Sequence, residues 1–378
     1  MRFRACALLL CIGLTGGSLP VETTASAALP AMTTVAISRA NDQTRALLKA
    51  RMAEQQIPAL QIAVVLHGRI VMSEAYGVAD IEQNVAASRR TLFPINSATK
   101  SFTGVAIMQM VEAGQVDLEA PISRYLDGLP EKWRPIRIRQ LLAHSSGLPN
   151  IVDENGLIGG ASDAEAWAKV QTLPMDGETG AGFAYNQTNY VLLGRLIEKL
   201  SERPFEQFLT ERQFTPAALP AARFGDGYDL VPGRADVYIR QRPGPGAGPA
   251  DKDALSHWVD EIPVSTRAGA GLYLTADDVA RWIIALQGGR LLSKPGSLDR
   301  MWQPDVLNDG TANIWAMGWP ILTGTKRRAI GGIGGGRSTF FVYPDEGVAV
   351  IVMTNLVGAN PQNMIDTIAG YYVATASR

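Results

Sequence analysis

Residues 93–103 read FPINSATKSFT, and this stretch places Ser97 three residues before Lys100. Apolar residues recur at helical spacing after it and Gly114 provides a stop signal, so we predict a helix from Ser97 to Glu112. Residues three apart share one face of a helix, which brings the Lys100 amine within reach of the Ser97 hydroxyl. The positive end of the helix dipole also favours negative charge on the Ser97 oxygen. The spacing therefore predicts a serine nucleophile with a neighbouring lysine base.

Histidine offers no ready alternative as the base. The chain holds three histidines, His67, His144 and His257, and none follows a Gly-x-Ser-x-Gly nucleophile elbow. A His-Glu-x-x-His motif and a paired-cysteine ligand set for zinc are also absent from the sequence. Lysine ordinarily titrates near pH ~10.4, and burial beside other donors would lower its pKa enough for it to accept a proton. We therefore expect a base other than histidine in any acyl transfer.

Three later stretches follow the serine segment in a characteristic order. Residues 141–149 read LLAHSSGLP, residues 183–194 read FAYNQTNYVLLG, and residues 343–347 read YPDEG, after a Met-Gly-Trp segment at 317–319. Together with residues 93–103, they resemble the class C β-lactamases and their esterase and D-aminopeptidase relatives, which are serine hydrolases of the penicillin-binding-protein type. The resemblance covers nearly the whole chain.

The resemblance implies an α+β fold of the β-lactamase/transpeptidase type, in which helices flank an antiparallel sheet. We expect residues 40–92 and 265–378, in approximate bounds, to form the sheet lobe. We expect residues 93–264 to form a mostly helical lobe. Strand-forming segments at both ends of the chain and a mostly helical middle agree with that arrangement.

Sequence periodicity predicts the individual elements. Two β-prone runs around short turns, at 61–76 and 338–353, predict hairpins. The Pro- and Gly-rich run at 242–249 is predicted to be a surface loop. Thr275 is a suitable N-cap for the helix that follows it. Besides the serine helix, the pattern predicts helices over approximately 40–54, 163–171, 189–201, 276–286 and 361–375.

The resemblance also assigns roles to side chains. It implies that Ser97 is the nucleophile and that Lys100 and Tyr185 transfer protons, with Tyr185 as general base in acylation and proton donor to the leaving group. A phenol ordinarily titrates near pH ~10, so a charged Lys100 nearby would favour the phenolate. Backbone N–H groups of Ser97 and Gly335 would form an oxyanion hole. The family uses the loop that carries His144 structurally, so we expect no catalytic role for His144.

The chain departs from the family's pattern at two positions. Gln187 replaces the asparagine of the Tyr-x-Asn motif, and its amide can still donate and accept hydrogen bonds. Gly332-Ile333-Gly334 aligns with the family's Lys-Thr-Gly or His-x-Gly strand, in a register that the glycine run leaves open. We therefore place Gly334 with Gln187 and Gly335 in the substrate-binding site. A strand cation would bind a substrate carboxylate. Its absence predicts a preference for uncharged acyl compounds, unless Arg337 turns inward to replace it.

The N-terminus has the layout of a secretory signal. Arg2 and Arg4 precede about ten apolar residues, and small residues then lead to Ala25-Ser26-Ala27. We expect residues 1–27 to be a signal peptide that is cleaved after Ala27, and the remaining chain to be periplasmic or secreted. The apolar run is shorter than the ~20 residues that a membrane-spanning helix needs. We therefore expect no stable membrane insertion after the signal is removed.

Composition argues against several other classes of function. Both cysteines, Cys6 and Cys11, fall within the expected signal peptide, so no disulfide or thiol chemistry is expected in the mature chain. The formal net charge is −1 at pH 7, and so neutral a surface offers no basic field for nucleic acid. The glycine run at 331–336 leads into a strand without a following Gly-Lys-Ser/Thr, which argues against a nucleotide loop.

The prediction is an exported serine hydrolase that forms an acyl-enzyme on Ser97. Its expected partner is a small-molecule or peptide substrate among esters, amides and D-amino peptides, with esters and amides favoured. The sequence implies no metal and no organic cofactor. Two alternatives stay open, namely a β-lactamase or DD-peptidase proper, and a catalytically inactive protein that binds wall peptides on the same scaffold. The sequence does not decide the oligomeric state.

Overall fold

A computed structural model describes residues 34–154, 156–159, 162–240 and 254–373. These residues belong to one compact unit. The expected signal peptide and the loop at 242–249 lie outside the described residues, so both stay predictions. Within the described ranges, no helix has both the length and the apolar character that crossing a membrane requires.

An antiparallel sheet of six strands organises the unit. Within the described residues the strands are β1 (Ala59–Leu66), β2 (Arg69–Asp80), β3 (Val85–Ala86), β4 (Phe93–Pro94), β5 (Val152–Asp153), β6 (Gly156–Leu157), β7 (Arg223–Phe224), β8 (Tyr238–Ile239), β9 (Ser256–His257), β10 (Leu272–Leu274), β11 (Ile330–Gly334), β12 (Ser338–Tyr343) and β13 (Val348–Thr354). The large sheet has the order β11-β12-β13-β1-β2-β3. Both predicted hairpins are confirmed, since β1 pairs with β2 and β12 pairs with β13.

Helices cover both faces of this sheet. The described α-helices are α1 (Thr34–Gln55), α2 (Thr99–Glu112), α3 (Ile138–Leu142), α4 (Asp163–Val170), α5 (Gln187–Ser201), α6 (Phe205–Leu209), α7 (Thr215–Ala217), α8 (Ala276–Gln287), α9 (Ser297–Met301) and α10 (Gln362–Val373). The five helices predicted besides the serine helix are confirmed as α1, α4, α5, α8 and α10. Their ends differ from the prediction by up to two residues, except that α1 begins six residues earlier, at Thr34. The Thr275 hydroxyl caps α8 by accepting the Asp278 N–H at 3.0 Å.

Strand β1 shows why the sheet needs cover on both sides. All eight of its residues are buried, and successive side chains point to opposite faces. Leu60, Ile62 and Val64 pack in the apolar cluster that includes α1 and α10. Ala63 and Val65 belong to the larger cluster that includes α2 and α8. The sheet is therefore the middle layer of three, and the α+β fold class is confirmed.

Helix α2 is the buried support of the predicted nucleophile. Its residues from Thr99 to Met110 are all buried. Phe102 stacks on Trp282 of α8 with ring centroids 3.8 Å apart, which ties α2 to the neighbouring helix. The predicted helix start at Ser97 is nearly right: α2 begins at Thr99, and a 3₁₀ turn over Asn96–Ala98 precedes it.

Candidate active site

Ser97 lies in the 3₁₀ turn that connects β4 to α2. Asn96 just before it has φ of +42°, a left-handed conformation that asparagine adopts more readily than most other residues. Strand β11 runs directly against this turn, because a Cβ on Gly334 would collide with the carbonyl oxygen of Ile95. Gly334 therefore lets β11 pack closely against the turn that carries Ser97, and no side chain would fit there.

Lys100 is fully buried and faces Ser97. Its Nζ lies 3.4 Å from Ser97 Oγ, 2.8 Å from Gln187 Oε1 and 2.9 Å from the carbonyl oxygen of Gly269. Burial lowers the pKa of Lys100 well below its ordinary value. Burial favours the neutral amine, in which two N–H groups would donate to Gln187 and Gly269 and the nitrogen lone pair would face the Ser97 hydroxyl.

Tyr185 completes the predicted cluster from the opposite side. Its hydroxyl donates to Ser97 Oγ at 2.7 Å. Desolvation of the hydroxyl raises the pKa of Tyr185 to about 12, although 41% of the residue's surface is exposed. Burial thus opposes the expected phenolate, and it also opposes the charge on Lys100 that would stabilise a phenolate. Tyr185 is a neutral hydrogen-bond donor here.

Gln187 lies at the first position of α5, beside the proton-transfer pair. Its Oε1 accepts from Lys100 at 2.8 Å, and its backbone N–H donates to Asn150 Oδ1 at 2.9 Å. The extra methylene relative to asparagine therefore does not prevent contact with the lysine. Gln187 also lines the cleft above Ser97, which is where a substrate-binding amide belongs.

Gly335 and Ser97 line the same cleft. Gly335 has φ of +57°, in the left-handed region that favours glycine, and it follows the last residue of β11. Its position agrees with the predicted contribution of its N–H group to an oxyanion hole.

Gly332, the position that the sequence comparison aligned with the family's strand cation, has no room for a side chain. A Cβ at this position would lie 2.6 Å from the Phe340 ring and 3.0 Å from the Ala98 Cβ. Phe340 fills the space instead, as part of the apolar core. Phe340 of β12 and Ala98 of the 3₁₀ turn therefore leave no room for a cationic side chain at position 332.

His144 is a structural residue in the geometry. Its ring is fully buried, and Nδ1 accepts the Asn186 backbone N–H at 3.1 Å. The ring also packs against Tyr185, with centroids 4.5 Å apart. Burial lowers the pKa of His144 well below its ordinary value. His144 thus supports the segment that carries Tyr185, and the hydrogen bonds of its ring go to Asn186 and Asn189.

Arg337 does not replace the missing strand cation as a free charge. Its side chain is 1% exposed, and its Nη2 donates to the Asp260 carboxylate and to Asn96 Oδ1, the latter at 2.9 Å. The guanidinium lies next to the site, beside Gly335, but its charge is paired with Asp260.

A cleft of about 260 Å³ opens onto Ser97. Its walls include apolar side chains, among them Val152, Leu157 and Ile262. Asp260 and Glu261 are the charged residues that the described structure places in its lining. Three larger grooves of about 360, 380 and 470 Å³ have none of the predicted catalytic residues in their linings. In the portion of the chain with described coordinates, no group of three or more metal-ligating His, Cys, Asp or Glu residues occurs.

Two features of the site were not predicted from the sequence, namely the contact of Gly269 with Lys100 and the pairing of Asp260 with Arg337. Gly269 supplies a carbonyl acceptor to Lys100, and a Cβ there would lie 3.1 Å from the Lys100 amine. The run Ala268-Gly269-Ala270-Gly271 before β10 was the available signal, since glycine near a strand often marks a close backbone approach. The pairing of Asp260 with Arg337 had no sequence signal that we recognise.

The comparison with protein families decides the relationship. A family model described as Beta-lactamase matches residues 44–374. The chain belongs to the Beta-lactamase family. This finding confirms the predicted resemblance, and homologues with the Beta-lactamase fold are generally serine hydrolases.

Curated relatives of this Beta-lactamase family chain are distant in sequence. It is 26% identical over 263 residues to the putative penicillin-binding protein PbpX of Bacillus subtilis (strain 168), covering 69% of this chain and 62% of that protein. It is 24% identical over 321 residues to Protein flp of Staphylococcus aureus (strain MRSA252), covering 79% and 60%. The chain thus spans about three fifths of the length of these two relatives.

Solved structures support the same fold. The octameric penicillin-binding protein homologue from Pyrococcus abyssi matches with a TM-score of 0.73 and 22% identity, over 88% of this chain and 77% of that one. EstCE1, a hydrolase with promiscuous acyltransferase activity, matches with a TM-score of 0.73 and 20% identity, over 91% and 100%. At such identities the likeness shows the shared Beta-lactamase-family fold alone.

Proposed function

We propose that this chain is an acyl-serine hydrolase that uses Ser97 to cleave uncharged esters and amides. The observation that carries the proposal is the line of contacts from Tyr185 OH to Ser97 Oγ to Lys100 Nζ, at 2.7 and 3.4 Å. Ser97, in the middle of this line, also lines a cleft of about 260 Å³, which is large enough for a small acyl group. D-amino peptides and β-lactams are the other candidate substrates within the same chemistry.

Acylation begins with the transfer of the Ser97 proton to neutral Lys100. The Lys100 lone pair accepts this proton as Ser97 Oγ forms a bond to the substrate carbonyl carbon. The oxyanion of the tetrahedral intermediate receives the N–H groups of Ser97 and Gly335. The dipole of α2, whose N-terminus follows Ser97, adds to this stabilisation.

Collapse of the intermediate requires a proton for the leaving group. Tyr185 donates its phenolic proton to the departing alkoxide or amine, and the Lys100 ammonium then returns a proton to the Tyr185 oxygen. The net effect moves the Ser97 proton onto the leaving group and leaves an ester on Ser97. Water then attacks this ester, with the same two groups moving protons in the reverse order.

The substrate preference follows from the walls of the cleft. Phe340 occupies the space of the family's strand cation beside Gly332, so a substrate carboxylate would lose a charge-assisted hydrogen bond there. A neutral ester needs only the nucleophile, the proton-transfer groups and the oxyanion donors. We therefore expect a higher kcat/KM for neutral short-chain esters than for penicillins or cephalosporins.

A panel of p-nitrophenyl esters, nitrocefin, benzylpenicillin and D-Ala peptides tests this proposal. The expected result is turnover of neutral esters at a higher kcat/KM than any carboxylated β-lactam. Efficient hydrolysis of benzylpenicillin would contradict the preference and would favour a β-lactamase. If a folded protein turns over no member of the panel, the result would favour the alternative of an inactive protein that binds wall peptides.

We also propose that the protein is exported. Support comes from the arginines, the apolar run and the small residues within positions 1–27. Expression of the full chain in a Gram-negative host, followed by fractionation and N-terminal sequencing, tests this. Mature protein in the periplasm that begins at Ala28 is expected, and full-length protein confined to the cytoplasm would contradict export.

A further inference from the structure

Arg337 lies directly behind the wall of the catalytic cleft. Its side chain is 1% exposed. A Cβ added to Gly335, which lines the cleft, would lie 3.1 Å from Arg337 Cζ and 3.3 Å from Nη1. Nε is buried and has no hydrogen-bond partner among the described residues. A guanidinium with spare donor capacity therefore sits beside the space that a substrate would occupy.

Asp260 neutralises this guanidinium at the edge of the cleft. One carboxylate oxygen accepts from Arg337 Nη2, and the other accepts from Trp258 Nε1 at 2.8 Å. The Asp260 backbone carbonyl also accepts the Gly227 N–H at 2.6 Å. The two side-chain contacts hold the carboxylate against the guanidinium, and Asp260 belongs to the cleft lining whereas Arg337 does not.

The other charged residues nearby, Arg234 and Glu261, add no positive charge to the lining of the cleft. Arg234 donates to the backbone carbonyls of Asp226 and Gly227 at 3.2 and 3.0 Å, outside the lining of the cleft. Glu261 is exposed and lines the cleft next to Asp260. A carboxylated substrate would meet two carboxylates in this wall and a guanidinium that is already paired.

We propose that Asp260 is a specificity-determining residue, which masks Arg337 and thereby makes the cleft select uncharged acyl groups over carboxylated ones. The inference rests on the proposed function, since the cleft is taken to hold the acyl substrate. An unpaired guanidinium would form a strong charge-assisted contact with a substrate carboxylate. Like charges brought together at a binding surface act against the wrong partner. Removing the Asp260 charge should therefore convert the same wall into a carboxylate-binding wall.

Two matched esters measure this selectivity. p-Nitrophenyl butyrate is neutral, whereas mono-p-nitrophenyl glutarate carries a terminal carboxylate on an acyl chain of similar length. The readout is kcat/KM for the glutarate ester divided by kcat/KM for the butyrate ester. Asp260→Asn, which keeps an acceptor for Trp258, should raise this ratio at least about tenfold through the unmasked guanidinium. An unchanged ratio in a folded Asp260→Asn protein would overturn the proposal.

Glu261→Gln is the matched control. It removes the same formal charge from the adjacent residue and leaves the pair of Arg337 with Asp260 in place. Because Glu261 is exposed and screened by solvent, the ratio should rise by no more than about threefold. Equal rises in Glu261→Gln and Asp260→Asn would show a general effect of net charge and would overturn the specific role of Asp260.

The double variant Asp260→Asn/Arg337→Gln keeps the test decisive if the single variant folds poorly. Asp260→Asn leaves a buried cation without its partner, which destabilises a protein, whereas removing both charges avoids that penalty. In the double variant the ratio should stay within about threefold of the parent, because a masked cation contributes little to carboxylate binding. A fall of about tenfold or more would mean that Arg337 already serves carboxylates in the parent, contrary to the proposal.

Ser97→Ala separates this inference from the proposed function. We expect Ser97→Ala to lose turnover of both esters. That result would show that both esters are hydrolysed at Ser97, so that the ratio reports on the cleft beside it. Retained turnover would overturn the proposed function instead. In that case calorimetric binding of glutarate decides the inference: Asp260→Asn should bind glutarate about tenfold more tightly than the parent. Equal binding would overturn the inference.

Discussion

Gly269→Ala should damage catalysis through a single methyl group. The new Cβ would lie 2.8 Å from Gln187 Oε1 and 3.1 Å from Lys100 Nζ, whereas ordinary contacts begin near 3.4 Å. The amide must therefore retreat by about 0.6 Å and the amine by about 0.3 Å. A displacement of about 1 Å at a catalytic group costs on the order of a hundredfold in rate, so we expect kcat to fall about tenfold.

The assay compares kcat for p-nitrophenyl butyrate with the thermal midpoint of unfolding in the same preparation. Gly177→Ala is the matched control, because a Cβ there meets nothing within 4 Å and the backbone is not left-handed. The control should retain kcat within about twofold, as expected for a surface change without contacts. If Gly269→Ala also retained full kcat in a folded protein, the close contact of Gly269 with the lysine would not govern catalysis.

The remaining predictions concern the proton-transfer groups. Lys100→Ala and Tyr185→Phe should each lower kcat by at least about a hundredfold, the lower end for a general acid or base. His144→Ala should instead lower the thermal midpoint with a smaller effect on kcat; abolished turnover in a folded His144→Ala protein, beside an active Tyr185→Phe protein, would refute the assignment. Because burial lowers the pKa of Lys100, the rate should rise with pH and reach its plateau below ~10.4, the ordinary lysine pKa. A rate that rises only around ~10.4 in the pH profile would show that Lys100 keeps its ordinary pKa.

The sequence predicts those parts of the site that are local along the chain. Ser97 and Lys100 share one turn of helix, so their spacing alone brings them together. The hairpins and the main helices follow from alternation and helical periodicity for the same reason. Tyr185 comes from a distant segment and was identified through its family motif. Its position against Ser97 is a tertiary contact across 88 residues.

Other features depend on contacts that no local pattern records. The carbonyl of Gly269 meets Lys100 across 169 residues, and Asp260 meets Arg337 across 77. The charge states also depend on burial, which lowers the pKa of Lys100 and raises that of Tyr185 to about 12. Reference pKa values favour a phenolate beside a charged lysine, whereas burial opposes the charge on both groups.

Covalent labelling tests whether Ser97 is the nucleophile that forms the acyl-enzyme. The purified protein is treated with a fluorescent alkyl phosphonate, digested, and mapped by peptide mass spectrometry. We expect a single adduct on the peptide that contains Ser97, and Ser97→Ala should lose both the adduct and ester turnover. An adduct on a different serine, or unchanged labelling and turnover in Ser97→Ala, would contradict this role of Ser97.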